Sequence, residues 1–351
     1  MSSIPEWAEP GAYRVGDNVF RIPLPLPQDG LRAVNVYLLE TDAGPVMIDG
    51  GWAVQEARDA LVRAMRSVDF ELRDIQEFLV THAHRDHYSL AAVLRQEFPH
   101  VRIGLGSGER PTLRVLQAPE DEWTDPSLVG LVRAGAHELV KSWVGSPASR
   151  LPDPDQWQDP DHWLEDDQVL AVGDRELLAV STPGHTQGHF VFAEQGAGLL
   201  FAGDHVLPTI TPSFGLEVAA AEQPLADFLR SLAKVRAMPD MTLLPAHGPV
   251  APSVHARVGE LLAHHEDRLA QCREAVEAGH DTAYAVAEQL PWTRRGRRLE
   301  ELDLFNAALA TLETLAHLDV LRSQGALACE EVEEVMRWAL VPGDREPGGD
   351  E

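Results

Sequence analysis

The sequence of 351 residues has only two cysteines, Cys272 and Cys329, and no long apolar run. Two cysteines cannot build a disulfide framework, so a reducing compartment, the cytoplasm, is expected. A membrane-spanning helix needs about 18 or more consecutive apolar residues, and none of that length is present. Residues 1–10 also lack the basic and apolar segments of a secretion signal, so an exported protein is not expected.

Positive charge is scarce as well. Lys and Arg number 29 against 56 Asp and Glu, which gives a net charge of −27. Non-specific nucleic-acid binding needs clustered Lys and Arg, so this balance argues against it. Hydrophobic residues make up 44% of the chain, which is typical of a chain with a buried core and excludes general disorder.

Strand-like and helix-like segments alternate along the first part of the chain. The apolar runs at 34–39 and 78–81 predict strands, and apolar residues at helical spacing predict a helix over 53–67. Ser89 is a candidate N-cap for a helix over 89–98. After Pro252 the patterns are helical, and no comparable strand is predicted. We therefore predict a catalytic domain over 1–252, a mostly helical domain over 253–342 and a disordered tail over 343–351.

Residues 109–167 interrupt this alternation and are predicted to be an insertion. The segment contains four of the eight tryptophans: Trp123, Trp143, Trp157 and Trp163. It is either a surface excursion that packs on the domain or a lid over a substrate cleft. Because large apolar side chains are costly to leave in water, we expect at least one of these tryptophans to line the cleft.

A dense set of metal-binding side chains follows the apolar run at 78–81. The segment THAHRDH places His82, His84, Asp86 and His87 close together in sequence. Imidazole nitrogens with a carboxylate oxygen suit Zn²⁺, and also Fe or Mn. Residues two apart in an extended stretch share a side, so His82 and His84 point together. Asp86 and His87 lie at the turn into a helix and can face a second position.

Three further segments add ligand types, each at the end of a strand-like run. They supply His185 in PGHTQGH, Asp204 in AGDH and His247 in PAHG. Each residue alone is a weak signal, because a lone His or Asp after a strand is usually structural. Together with the first segment they indicate a metal site.

These motifs make the chain resemble the metallo-β-lactamase-fold hydrolase superfamily. HxHxDH at 82–87, PGHTxGH at 183–189, GD at 203–204 and PAHG at 245–248 occur in that superfamily's order, and VNVYLL followed by IDGG matches its opening. The resemblance covers roughly residues 12–250. It implies an α/β fold, an αββα sandwich with a dinuclear metal site along one sheet edge.

The C-terminal part resembles the helical, winged-helix-like domain of one branch of this superfamily. That branch includes β-lactamase-like hydrolases and a mitochondrial endoribonuclease. The match rests on His264-His265, Arg268, Gln271 and the helical stripe at 302–321. It implies a winged-helix-like domain after residue 253.

The resemblance also implies two Zn²⁺ ions, with Fe or Mn as alternatives. Seven ligands fall into two groups that share one carboxylate: His82, His84 and His185 for one ion, Asp86, His87 and His247 for the other, and Asp204 for both. Two ions sharing a water lower its pKa, so a hydroxide is available near neutral pH. Asp86 is expected to accept a proton from this water and is the predicted catalytic residue.

Three other residues are candidates for roles around the ligands. Asp49, at the end of a strand, is predicted to hold a ligand imidazole by a hydrogen bond, or else to be a turn residue. Tyr88 either points into the cleft or packs, and His205 either touches the substrate or packs. His189 is expected to orient its loop, and the scattered histidines, His317 among them, are expected in solvent.

Three functions from different classes are compatible with these features. The favoured one is a dinuclear zinc hydrolase that cleaves an ester, thioester, lactone or related acyl bond of a small organic substrate through a metal-bridging hydroxide. The alternative is an endoribonuclease-type phosphodiesterase, which the C-terminal resemblance and the basic run RRGRR at 294–298 favour. The third is a binding protein with an idle metal site, against which the seven ligands argue. The expected partner is a small molecule, with no membrane partner, and a homodimer is left open.

Overall fold

A computed structural model of the chain describes residues 4–27, 30–118, 125–146, 153–215, 217–219, 221–293 and 296–341. The chain divides into two compact units. The first combines residues 1–123, 151–212 and 227–261, and the second combines 124–150, 213–226 and 262–351. The predicted disordered tail, 343–351, lies outside the described residues.

The first unit contains a seven-stranded sheet whose strands follow chain order. They are β1 (Tyr13–Gly16), β2 (Val19–Pro25), β3 (Ala33–Leu39), β4 (Val46–Ile48), β5 (Glu77–Val80), β6 (Arg102–Gly106) and β7 (His162–Leu164). Strands β1 to β4 pair antiparallel, and β4 to β7 pair parallel. The parallel strands therefore end at one common edge of the sheet.

A five-stranded sheet completes the strands of this unit, in the order β12-β11-β10-β9-β8. Its members are β8 (Gln168–Val172), β9 (Arg175–Ser181), β10 (Phe190–Glu194), β11 (Leu199–Gly203) and β12 (Thr242–Pro245). Strand β10 runs antiparallel to both β9 and β11, and β12 runs parallel to β11. Strands β9, β11 and β12 therefore also end at one edge.

Side chains from the two sheets form one core. Tyr37, Ile48 and Leu79 of the first sheet pack with Phe192 and Phe201 of the second, all with almost no exposed surface. The Tyr37 and Phe201 rings meet edge to face, with centroids 5.3 Å apart. The sequence-predicted α/β sandwich is confirmed.

Helices of the first unit lie near the predicted positions. They are α1 (Gln55–Arg66), α2 (Arg85–Glu97), α3 (Arg110–Leu116) and the greater part of α6 (Pro224–Ala237). The predicted start of the second helix at Ser89 is wrong, because α2 begins four residues earlier. The Ser89 hydroxyl lies inside the helix and donates to the carbonyl of Arg85. This earlier start places Asp86 and His87 on the first helical turn.

The second unit is mostly helical. It contains α4 (Pro126–Arg133), α5 (His137–Trp143), most of α7 (Val254–Glu277), α8 (Ala283–Gln289) and α9 (Leu304–Ser323). Helix α9 is long and apolar enough to be a candidate membrane span, but two thirds of its apolar window (67%) is buried inside the protein. Such burial is typical of a core helix. Leu318 and Leu321 of α9 lie in the apolar cluster of the second unit.

A β-hairpin ends the described chain, where the sequence patterns predicted no strand. Strands β13 (Leu327–Val332) and β14 (Val335–Leu340) pair antiparallel around Glu333 and Glu334. Cys329 lies in β13. The helical character of the C-terminal part is confirmed, while the winged-helix assignment and the boundary at residue 252 remain predictions.

The predicted insertion, 109–167, is divided between the two units. Helix α3 and strand β7 belong to the first unit, and helices α4 and α5 belong to the second. Of the four tryptophans, Trp143 is buried in the second unit, where its indole N–H donates to Asp125. Trp157 is buried in a parallel stack on Tyr88, and Trp163 lies under the guanidinium of Arg110.

The described tryptophans therefore give no support to a Trp-lined cleft, because their indoles pack on Asp125, Tyr88 and Arg110. Trp123 lies outside the described residues. Because the three described tryptophans of this segment give no such wall, they do not support the preference for an apolar substrate.

Replacing Trp157 with alanine is expected to destabilise the first unit without changing catalysis. The indole is 3% exposed and stacks on Tyr88 at 6.1 Å between ring centroids, so its removal leaves a cavity that costs about 3–5 kcal/mol. Denaturant unfolding checks the loss, and Trp163→Ala, at a half-buried position, is the matched control with a smaller expected loss. An altered KM with unchanged stability would instead assign Trp157 to a lid.

Candidate metal centre

Every predicted ligand follows the carboxyl end of a strand in the first unit. His82, His84, Asp86 and His87 follow β5, while His185 follows β9. Asp204 and His247 follow β11 and β12 in the same way. Because the strands of each set end at one edge of their sheet, the fold brings residues distant in sequence to one place.

The ligand atoms form three overlapping groups, in each of which the atoms lie within 4.8 Å of one another. The groups are His82, His84 and His185; His82, His87 and Asp204; and Asp86, His87 and His247. His84 Nδ1 lies 3.0 Å from His185 Nε2, and His247 Nε2 lies 3.3 Å from Asp86 Oδ2. The structure thus brings together all seven residues that the sequence selected, each within a group that could hold a metal ion.

Asp204 faces both sides of this cluster with different oxygen atoms. Its Oδ2 is 3.4 Å from His185 Nε2, and its Oδ1 is 3.4 Å from His247 Nε2 and 3.6 Å from His87 Nε2. A carboxylate placed in this way can bind one ion with each oxygen. Its position matches the shared ligand that the resemblance implied.

Asp49 orients the His87 ring, as predicted from the sequence. Its carboxylate accepts from His87 Nδ1 at 2.8 Å and from the backbone N–H of Thr81 at 2.8 Å. A carboxylate only accepts hydrogen bonds, so Nδ1 carries the proton and Nε2 is left to face the cluster. Asp49 has a left-handed backbone (φ 63°), a conformation that Asp tolerates better than most residues.

The PAHG loop is held by side chains of β3 that sequence reasoning did not single out. His247 Nδ1 donates to the carbonyl of Ala33 at 2.8 Å, which again leaves Nε2 toward the cluster. The Asn35 amide donates to the carbonyls of Pro245 and Gly248, and the Tyr37 hydroxyl donates to Pro245. Asn35 and Tyr37 lie two residues apart and therefore on the same face of β3. The sequence VNVYLL shows this spacing but does not show that the PAHG loop is the partner.

Four buried polar atoms of the cluster test whether metal ions fit this site. His82 Nε2, His87 Nε2, His247 Nε2 and Asp204 Oδ1 have no hydrogen-bond partner among the described residues. Leaving buried polar atoms unsatisfied costs free energy, so such atoms normally have a partner. Imidazole lone pairs and carboxylate oxygens that converge in this way fit divalent transition ions.

Charges in the cluster shift the pKa values of its histidines in opposite directions. Burial lowers the pKa of His84 to about 3, helped by the neighbouring His185. Burial acts in the same direction on His87 and His247, but carboxylates outweigh it. Asp49, Asp86 and Asp204 raise the pKa of His87 to about 10, and Asp204 and Asp86 raise that of His247 to about 9.

Adding zinc to the metal-free protein at pH 7 is expected to release about two protons per chain. His87 and His247, with pKa values of about 10 and about 9, are protonated at that pH, and a bound ion needs their Nε2 lone pairs. The same linkage makes zinc bind more tightly as the pH rises toward 9. Proton release measured with an indicator dye in weak buffer checks the number. A value near zero would contradict this protonation state.

The two remaining candidates, Tyr88 and His205, are packed. The Tyr88 hydroxyl donates to the carbonyl of Gln158 at 2.5 Å, and the ring is fully buried. The His205 ring is also fully buried, with Phe228 5.1 Å away between ring centroids. This burial favours packing over substrate contact for both side chains. His317, expected in solvent, is buried too, with its Nε2 3.1 Å from His265 Nδ1.

Comparisons with known proteins show which family the chain is similar to. The model of the Metallo-beta-lactamase superfamily matches residues 29–247. The probable metallo-hydrolase YqjP of Bacillus subtilis (strain 168) is 28% identical over 323 residues, which are 89% of this chain and 94% of that protein. The atrochrysone carboxyl ACP thioesterase AacuM of Aspergillus aculeatus is 29% identical over 246 residues, which are 70% of this chain and 60% of that protein.

A solved structure has the same architecture. The crystal structure of a metallo-beta-lactamase family protein from Thermus thermophilus matches with a TM-score of 0.71 and 28% sequence identity. The match covers 92% of this chain and 99% of that one. It therefore extends beyond residues 29–247 into the C-terminal part of the chain.

Proposed function

The chain belongs to the metallo-β-lactamase superfamily, and we propose that this hydrolase uses two zinc ions to cleave an acyl bond of a small organic substrate. The thioester is the first substrate class within this proposal, ahead of the oxygen ester and the lactone. The similarity to a protein named as a thioesterase supports acyl hydrolysis. Fe and Mn suit the same ligands and are the alternatives to zinc.

The observation that carries the proposal is the position of Asp204 between two ligand groups. One oxygen faces the three-histidine group of His82, His84 and His185, and the other faces the group of Asp86, His87 and His247. Two divalent ions, when bound, supply a water nucleophile at neutral pH and polarise the attacked oxygen. A carboxylate with only a structural role would not need one oxygen facing each ligand group.

Asp86 is the residue placed to take up a proton. Although burial raises the pKa of Asp86, His87 and His247 hold it well below its usual range. The carboxylate is therefore ionised at neutral pH in the metal-free site. Its side chain is 15% exposed and that of Asp204 is 10% exposed, so Asp86 has the greater access to solvent of the two carboxylates.

The charge state of the site favours a leaving group that needs no proton. A thiol has a pKa of about 8.5, so the sulfur of a thioester can depart as a thiolate, whereas the alkoxide of an alkyl ester calls for a general acid. In the metal-free site, His87 and His247 outweigh the effect of burial and keep the Asp86 and Asp204 carboxylates ionised, and bound divalent ions would take over that role. A histidine that binds an ion through Nε2, and whose Nδ1–H is hydrogen-bonded to another group, is a poor proton donor to a leaving group. This argues for thioesters over alkyl esters.

Cysteine chemistry does not provide an alternative nucleophile. Burial raises the pKa of the Cys272 thiol to about 12, so the reactive thiolate is scarce at neutral pH. Cys329 lies in β13, and burial raises its pKa as well. Both residues belong to the second unit, whereas the seven ligands belong to the first.

The test compares substrates on zinc-loaded protein. Hydrolysis is measured on a short acyl-CoA, the matched oxygen ester, a lactone and a structured RNA, before and after chelation. The proposal expects the highest kcat/KM on the thioester, loss of activity with chelator and recovery with zinc. Asp204→Ala protein, purified in parallel, controls for a contaminating thioesterase.

Two outcomes would overturn the proposal. RNA cleavage without acyl hydrolysis would replace it with the phosphodiesterase. The basic run at 294–298 favours that alternative, although Arg294 and Arg295 lie outside the described residues. Zinc binding without turnover of any of the four substrate classes would favour a binding protein. Fast hydrolysis of the lactone alone would keep the acyl hydrolase but reject the argument from the leaving group.

A further inference from the structure

Glu109 is a buried carboxylate that the proposed hydrolysis does not use. It ends a 3₁₀ turn, Ser107–Glu109, directly after β6, and has no exposed surface. Burying a carboxylate is costly unless hydrogen bonds compensate for the lost water. The Thr186 hydroxyl donates to Glu109 Oε1 at 2.5 Å.

The hydroxyl that Glu109 accepts belongs to a ligand loop, because Thr186 is the residue after His185. Glu109 Oε2 is buried without a hydrogen-bond partner among the described residues. Burial raises the pKa of Glu109, and the Thr186 hydroxyl opposes this rise most. The carboxylate therefore makes its hydrogen bond directly beside a ligand of the three-histidine group.

Glycines allow the segment before Glu109 to contact the second loop backbone to backbone. A Cβ added at Gly106 would lie 2.2 Å from the carbonyl oxygen of Gly188, and one at Gly108 would lie 2.6 Å from that of Gln187. A Cβ on Gly188 would lie 2.3 Å from the backbone nitrogen of Glu109. Any side chain at these positions would push the loop away, so the packing fixes the position of Glu109 relative to the loop of His185.

We propose that Glu109 is a positioning residue that holds the loop of His185 where the three-histidine group can bind one metal ion. This rests on the proposed function, since it assumes that the three-histidine group is a metal site. The carboxylate accepts the Thr186 hydroxyl and does not touch the ion or the substrate. Its loss therefore weakens one site and leaves the group of Asp86, His87 and His247 nearly unchanged.

The test measures zinc affinity, by competition with a chromophoric chelator, in Glu109→Gln. The amide keeps the size of the side chain but gives the Thr186 hydroxyl a weaker acceptor than a carboxylate. The affinity for one of the two zinc equivalents is expected to fall about 10–100-fold, the usual effect of losing a group that orients metal ligands. The affinity for the other equivalent should stay within about threefold of the wild-type value.

Glu194→Gln is the matched control. Glu194 is 8% exposed and paired with Arg175 at 2.7 Å on β10, away from the ligand loops. This variant should bind both equivalents as the wild type does. Melting temperatures of the metal-free variants separate a loss of stability from a loss of zinc affinity.

Wild-type affinity for both equivalents in Glu109→Gln would overturn the proposal and leave Glu109 a purely structural residue. If that variant does not fold, Thr186→Val removes one donor, keeps the carboxylate and should weaken the same single equivalent. Equal weakening of both equivalents in either variant would also contradict the proposal. Failure of the wild-type protein itself to bind two zinc ions would instead count against the proposed function.

Discussion

Replacing Asp204 with alanine is expected to lower kcat/KM by about 10³-fold and to reduce the zinc content from two ions per chain to one or none. Asp204 is the one predicted ligand with a separate oxygen toward each group, 3.4 Å from His185 Nε2 on one side and 3.4 Å from His247 Nε2 on the other. The charge stabilisation that a metal ion supplies is worth several kcal/mol, and about 4 kcal/mol corresponds to this loss of rate.

Elemental analysis after zinc saturation and gel filtration checks the stoichiometry, and steady-state kinetics check the rate. Asp166→Ala is the matched control, because Asp166 is a more exposed carboxylate of the same unit, paired with Lys234. The control should keep two ions and wild-type turnover. Two tightly held ions in Asp204→Ala would mean that the two groups do not share this ligand.

The seven candidate ligands could be selected from the sequence because each ligand segment follows a strand end. A mostly apolar strand followed within a few residues by His or Asp has a recognisable pattern, as at Val80 before Thr81-His82. Asp49 could be selected in the same way, from its place after β4. The partners that orient these ligands could not, because a hydrogen bond such as that from Asn35 to Pro245 joins residues 210 positions apart.

Glu109 shows why residues that position ligands are not found from the sequence. A glutamate after Gly-Ser-Gly has the appearance of a surface turn, since an isolated carboxylate is rarely buried. Only the meeting of β6 with the loop of Gly188 reveals that it is enclosed. The signal available in the sequence was the pair Gly106 and Gly108, which indicates a close backbone approach without naming the partner.

The C-terminal hairpin was missed for a local reason. Its turn places Glu333 and Glu334 at positive φ (49° and 67°), a conformation that hairpin turns usually give to Asn and Gly. Two consecutive glutamates give no turn signal, and the acidic run before them is more typical of a helix. The pairing from Leu327–Leu340 to Val332–Val335 overrides that local preference.

The division of residues 109–167 between two units could not be predicted from the sequence, for a different reason. An amphipathic stripe shows that one helix face is buried but does not show what covers it. Leu131 of α4 and Trp143 of α5 pack with Leu312 of α9, which lies 181 positions after Leu131 and 169 after Trp143 in the chain. The two alternatives, a surface excursion or a lid, followed from the composition of the segment alone.

Replacing Asp86 with asparagine is expected to slow turnover by about 10²-fold or more while leaving the fold intact. Asparagine keeps the shape of the side chain and can still offer an oxygen toward His247, whose Nε2 lies 3.3 Å from Asp86 Oδ2. It removes the negative charge and with it the capacity to accept a proton at neutral pH. The loss should appear in kcat more than in KM, because proton acceptance belongs to the reaction and not to substrate binding.

Because Asp86 is also a predicted ligand, zinc content must be fixed before turnover is compared. Kinetics at saturating zinc, with two ions confirmed for both proteins, isolate the role of the carboxylate charge. Asp86→Glu is the informative partner variant, since it restores the charge on a longer side chain and should recover part of the lost rate. Asparagine with two bound ions and near wild-type kcat would show that the proton leaves by another route, directly to solvent. Asp86 would then act only by binding the ion and by holding His247 in place.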